Sequence, residues 1–145
     1  MQVRGGASAN FSKHHSLQIK CWLLEDGVYG DLDLLYWGSQ DGWKISDYHA
    51  KCDDKGATIT VIRSSDGFIF GGFADKSCTS SGGYCESDKA FLFSLKSPSD
   101  EVKSTNMPIN QSKCSYTMHH NSSYGPIFGG FHGFCIYSDA NNNRN

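Results

Sequence analysis

Short apolar runs separated by polar, glycine-containing breaks recur along the chain at intervals too close for long helices, which predicts a mainly β protein. Leu17-Gln18-Ile19-Lys20-Cys21-Trp22-Leu23 alternates apolar with polar positions and reads as a half-buried strand, closed by the turn signal Glu25-Asp26-Gly27. Leu32 to Trp37 is almost unbroken apolar sequence, which predicts a segment buried on both sides or packed at an end of the core. Gly38-Ser39-Gln40-Asp41-Gly42 is a polar loop leading to Trp43. Beyond it, Ser46 or Asp47 is placed to cap a short helix through Tyr48-His49-Ala50-Lys51-Cys52 that Gly56 ends. Thr58-Ile59-Thr60-Val61-Ile62-Arg63 is β-branched and alternating, and Ser65-Asp66-Gly67 turns it back into Phe68–Phe73 as a hairpin.

The second half continues the pattern. The glycine pair in Phe70-Gly71-Gly72-Phe73 predicts a bulge or a close backbone approach. The stretch from Gly82 to Leu95 reads as a loop running into a strand, with Cys78 and Cys85 at its neck and Asp75 and Asp88 at its mouth. Ser97-Pro98-Ser99-Asp100-Glu101 is a turn, residues 103–112 a polar connection, and Cys114-Ser115-Tyr116-Thr117-Met118 the start of another strand. Phe128-Gly129-Gly130-Phe131 repeats the earlier glycine pair, but nothing around the two copies repeats, so they read as equivalent bends rather than duplicated domains. Residues 1–15 are expected to be a mobile arm, 16–145 a single domain, and Asn141–Asn145 a frayed tail.

With 145 residues the chain is long enough for one real core. A formal net charge of −2 and the lack of a basic run give no reason to expect nucleic acid or an anionic membrane surface. No apolar stretch approaches the roughly 20 residues that cross a bilayer. The opening Met1-Gln2-Val3-Arg4-Gly5-Gly6 lacks an apolar signal core, so an exported form would have a mature or engineered start. Six cysteines, without any Cys-x-x-Cys spacing for zinc, point to disulfides and a secreted protein. The expected bridges are Cys78–Cys85 and Cys114–Cys135, leaving Cys21 and Cys52 to pair with each other or between chains. Three glycosylation-type triplets, starting at Asn10, Asn110 and Asn121, agree with export.

A family resemblance is carried by residues spread over most of the chain. Leu34-Leu35-Tyr36, Ser39-Gln40-Asp41-Gly42-Trp43, Tyr48-His49-Ala50-Lys51-Cys52-Asp53, Gly56-Ala57-Thr58-Ile59-Thr60-Val61-Ile62, Phe70-Gly71-Gly72-Phe73, Ala90-Phe91-Leu92-Phe93-Ser94-Leu95, Ser122-Ser123-Tyr124-Gly125-Pro126-Ile127-Phe128-Gly129-Gly130 and Ile136-Tyr137-Ser138-Asp139-Ala140-Asn141 follow one another as they do in the TLDc domain family, which residues 32–143 resemble. The resemblance implies a two-sheet antiparallel β-sandwich with one or two short flanking helices. It also implies a non-enzymatic interaction or oxidation-resistance module, since intracellular members are associated with oxidation resistance and with binding the proton-pumping ATPase. The cysteines around the loop and the glycosylation-type triplets depart from the intracellular pattern and resemble a secreted offshoot. In size and cysteine count the chain is also similar to the galactose-binding lectins of sea anemones.

The candidate chemistry follows from the secreted reading. Aromatic rings stack on the C–H faces of sugars, and carboxylates or a calcium ion hold sugar hydroxyls. Gln40, Asp41, Trp43 and Tyr84 are the candidate carbohydrate-binding residues, and Asp75, Glu86 and Asp88 the candidate calcium ligands. The expected partners are glycans ending in galactose-type sugars, and avidity favours a homodimer. An enzyme is not expected: His119 and His120 would point to opposite faces of a strand, and no nucleophile elbow, zinc-protease pair or phosphate loop is present. Cys52 beside His49 and Lys51 is the one candidate reactive thiol.

Overall fold

Ser12 opens the first element. Its hydroxyl accepts the His15 N–H at 3.3 Å while His15 Nδ1 accepts the Ser12 N–H at 3.3 Å, a reciprocal cap with histidine in the place usually held by glutamate. This cap starts helix α1, Lys13–Glu25, so the alternation over Leu17–Leu23 is helical and not a strand. The physical reason lies in Ile19, Trp22 and Leu23, whose i, i+3, i+4 spacing makes one buried stripe, while Leu17 and Cys21 face solvent. The computed structural model describes residues 12–99, 103–129 and 134–142; most of the expected N-terminal arm, Asn10, Asp100-Glu101, Gly130-Phe131 and the end of the tail lie outside the described residues.

Residues 32–37, expected to be buried on both sides or packed at an end of the core, form no regular element; Leu34 is exposed, whereas Leu35 and Tyr36 rest on a small cluster of Tyr48, Cys52 and Cys78. A single helical turn, α2 (Gly38–Asp41), leads into α3 (Ile45–Cys52). Lys44 stands at the N-cap of α3 and makes no side-chain cap, so Ser46 and Asp47 sit inside the first turn instead of capping it. The helix ends before Asp54 (φ 58°) and Gly56 (φ 82°), where the chain turns through the left-handed region.

Among the described residues, eight strands form two antiparallel sheets. The first has the order β1-β2-β4-β5, with β1 Thr58–Arg63, β2 Ile69–Ala74, β4 Phe91–Lys96 and β5 Thr105–Pro108. The second has the order β3-β6-β7-β8, with β3 Gly83–Cys85, β6 Met118–His120, β7 Ile127–Phe128 and β8 Phe134–Cys135. The β1–β2 hairpin is as expected, and its register continues from Thr58↔Ala74 to Arg63↔Ile69. The stretch read as a polar connection contains the edge strand β5, and Cys114–Tyr116 belong to a 3₁₀ turn, Gln111–Tyr116, before β6 begins.

The first sheet is covered on both faces. Phe91, Phe93 and Leu95 of β4, with Ile59, Ile69 and Phe73, pack on Ile19, Trp22 and Leu23 of α1. Strand alternation sends Leu92 and Ala74 to the other face, where they meet Met118 and Phe128 of the second sheet, and Phe70 meets Phe134 with ring centroids 5.8 Å apart. Gly71 is crowded by neighbours in its own sheet, and Gly72 lies under the second sheet. A side chain at Gly71 would run into the Thr60 carbonyl and the Phe93 ring, and one at Gly72 into the Phe128 ring. The expected close approach is therefore real, with a register shift at Ile69/Phe70 beside it.

Candidate functional site

The chain between β2 and β4 leaves the first sheet, adds β3 to the second and returns, so Cys78 and Cys85 do not close the neck of one loop. Cys78 is buried with Tyr48 and Cys52, whereas Cys85 packs into the inter-sheet cluster. All six cysteines are free thiols, and the expected bridges Cys78–Cys85 and Cys114–Cys135 and the Cys21–Cys52 pairing are not formed. Cys114 Sγ instead donates to Glu86 Oε1 at 3.4 Å, Cys135 Sγ to the Ile136 carbonyl at 3.8 Å, and Cys21 is exposed on α1 while Cys52 is buried. Burial pushes the Cys52 thiol up to about 12, with the neighbouring Cys78 as the next cause, so Cys52 is not a poised nucleophile.

The candidate calcium ligands point to separate tasks. Asp75 Oδ1 accepts the hydroxyl of buried Ser87, and its other oxygen lies 3.4 Å from Lys76 Nζ. Glu86 receives the Cys114 thiol, and Asp88 is exposed. Among the described residues no three His, Cys, Asp or Glu side chains are grouped to hold a metal ion.

The candidate sugar residues also divide. Asp41 accepts the Trp37 N–H at 2.6 Å and pairs with Lys51 Nζ at 2.7 Å, so it shapes the α2 turn; the lysine, then the backbone bond, hold its carboxyl below the usual range. Gln40 is exposed, and the Trp43 ring lies over Gly38 while its carbonyl accepts the Asp139 N–H at 2.9 Å. Tyr84 is elsewhere, on β3. Its register partner is His119, which brings their rings onto one face of the second sheet with centroids 4.8 Å apart. Tyr116, which sequence reading placed inside a strand, completes an edge-to-face trio at 5.0 Å from Tyr84. Tyr84 is 46% and Tyr116 54% exposed.

Tyr116 also borders a groove of about 290 Å³ at the mouth between the two sheets. Leu92, Met107, Pro108, Ile109 and Phe128 give it an apolar floor, and Met107 is 46% exposed at its rim. Its polar lining is occupied: Asn110 Oδ1 accepts the Ser112 N–H at 3.0 Å, and Thr117 Oγ1 lies 3.0 Å from the Ser87 carbonyl oxygen.

The densest polar group lies around α3. His49 Nδ1 is 2.8 Å from Asp53 Oδ1, its Nε2 is 2.9 Å from the Tyr124 carbonyl oxygen and 3.2 Å from that of Asn121, and Ser80 donates to Asp53 Oδ2 at 2.6 Å. Thr79 Oγ1 lies 2.8 Å from His120 Nδ1, and burial holds His120 below the ordinary histidine value. His119 and His120 face opposite ways, as strand alternation requires. The cavity lined by His49, Thr79, His120 and Asn121 among others has space of about 10 Å³, room for little more than one water molecule.

Among the described residues no helix is long and apolar enough to cross a membrane. No curated protein matches the chain, and the likeness to sea-anemone lectins is not supported. The model of the TLDc domain matches residues 7–145, nearly the whole sequence, and the chain therefore belongs to the TLDc domain family.

Proposed function

We propose that this TLDc domain is a non-enzymatic interaction module that docks an extended, apolar segment of a protein partner beside β5. The observation that carries the reading is the half-exposed Met107 and Tyr116 lining an apolar groove, with the exposed Tyr84 ring against Tyr116. Half-exposed aromatic and methionine side chains around a pocket are the usual make-up of an interface centre. β5 is an edge strand, so its outer backbone groups are available to an added strand while a side chain of the partner enters the groove. The polar cluster at α3 supports a non-catalytic reading. Ser80 donates to Asp53 and not to His49, and His49 Nε2 faces two carbonyl oxygens, so His49 activates no hydroxyl.

The proton-pumping ATPase, with which intracellular TLDc proteins are associated, is the partner to test first. The immobilised domain is expected to retain the purified ATPase, and Tyr116→Ala with Met107→Ala to weaken retention by roughly tenfold or more, the scale of losing interface anchors. Equal retention by wild type and variant, or none by either, overturns the reading.

A secreted glycan-binding role is the second reading, and the exposed Tyr84 ring favours it. It is the weaker one because the groove offers sugar hydroxyls few unspent hydrogen-bonding groups. A galactose-type glycan array with and without chelator decides it: signal lost in Tyr84→Ala supports sugar binding, and signal lost on chelation supports calcium.

A further inference from the structure

We propose that Cys52 and Cys78 are a redox pair that closes to a disulfide on exposure to a disulfide-class oxidant, fastening the end of α3 to the segment after β2. Cys52 is the last residue of α3, one helical turn beyond Tyr48, and Cys78 lies across from both in the same buried cluster. Two bonds hold the segments together. The Tyr48 hydroxyl is 3.0 Å from Cys78 Sγ, and the Asp54 N–H donates to the Cys78 carbonyl at 3.0 Å. Sequence spacing suggested other pairings, because Cys52 and Cys78 are separated by the whole β1–β2 hairpin and only folding brings them together.

The order of attack follows from the surroundings. Burial raises both thiols, but hydrogen bonds from Tyr48 and Thr58 offset this at Cys78, so Cys78 is the better nucleophile. Its thiolate attacks one sulfur of glutathione disulfide, forming a mixed disulfide and expelling one glutathione thiolate, which takes up the proton. Cys52 then loses its proton and attacks Cys78 Sγ, releasing the second glutathione. The two protein thiols give up two electrons in all, and the oxidant is reduced to two thiols.

The test is a titration of the purified full chain with glutathione disulfide in native buffer, followed by acid quenching, alkylation in denaturant and peptide mapping by mass spectrometry. Two of the six thiols are expected to disappear, with the peptides holding Cys52 and Cys78 joined and the melting temperature raised by roughly 5 °C or more. Cys78→Ala is expected to keep Cys52 reduced at the same oxidant ratio, and Cys21→Ala to oxidise like the wild type. A link between any other cysteines, stable glutathione adducts in place of a link, survival of all six thiols at a ratio that oxidises a model dithiol, or a linked chain that melts no higher than the reduced one each overturns the proposal. The wild-type peptide map decides even where a cysteine variant fails to fold.

Discussion

His49 and Asp53 stand one turn apart at the end of α3 with Nδ1 and Oδ1 2.8 Å from each other, and through them the helix holds two loops at once. The other nitrogen of His49 reaches the carbonyls of Asn121 and Tyr124, and the other oxygen of Asp53 takes the Ser80 hydroxyl. Removing the ring takes the partner from two carbonyl oxygens and a half-buried carboxylate, so His49→Ala is expected to cost about 1–3 kcal/mol. Urea denaturation measures it. A loss matched by the additive sum of His49→Ala and Ser80→Ala in the double variant would mean that the two loops are held independently, whereas a smaller combined loss is expected of one connected network.

Gly71 and Gly72 are neighbours with unequal tolerance. A methyl at Gly71 meets the backbone oxygen of Thr60, which cannot move without breaking the β1–β2 ladder, while one at Gly72 meets the rim of the Phe128 ring, which can tilt. Gly72→Ala is expected to lower stability by about 1–3 kcal/mol, within the range of overpacking, and Gly71→Ala by more. Thermal melts of the two variants check the order, and equal losses would contradict it.

The β1–β2 hairpin was legible because its β-branched alternation and its Ser65-Asp66-Gly67 turn agree with each other. The α1 segment was not, since Leu17, Ile19, Cys21 and Leu23 alternate as a strand would, and only the Ser12–His15 cap tells that the stripe Ile19-Trp22-Leu23 is the operative one. In the candidate site Tyr84 was legible as an exposed aromatic. Its partner Tyr116 was not, because the 3₁₀ turn that presents it has no hydrophobic period, and the groove depends on the separate courses of β5 and β7. The misplaced disulfides have the same origin: spacing along the chain cannot show that β3 crosses to the second sheet.

Ser87 ties the end of β2 to the approach of β4 through one hydroxyl. It is 1% exposed, donates to Asp75, and accepts the N–H groups of Lys89 at 3.2 Å and Ala90 at 2.9 Å. Ser87→Ala takes the side-chain partner from two backbone donors and from one oxygen of the Asp75 carboxylate, at an expected cost of about 1–3 kcal/mol. Faster amide exchange confined to residues 87–90 and the start of β4 would locate the loss there; exchange unchanged in that segment would refute the role.

Acid sensitivity follows from His120. Burial, and then the nearby His119, lower its proton affinity against the opposing pull of Asp53, so the folded chain holds the ring neutral after the unfolded chain has begun to bind a proton. As pH falls below the unfolded value of about 6.5 the unfolded state binds more protons, and stability declines until the folded-state value is passed. The ring is only half buried, so solvent screening reduces the effect to a fraction of the roughly 1.4 kcal/mol per pH unit that a full proton would give. Urea midpoints at about pH 7.5 and about pH 5.5 should fall less in His120→Gln than in the wild type, because the amide does not titrate. An equal fall in both chains would assign the acid sensitivity to other groups and would leave the Thr79–His120 contact without a part in it.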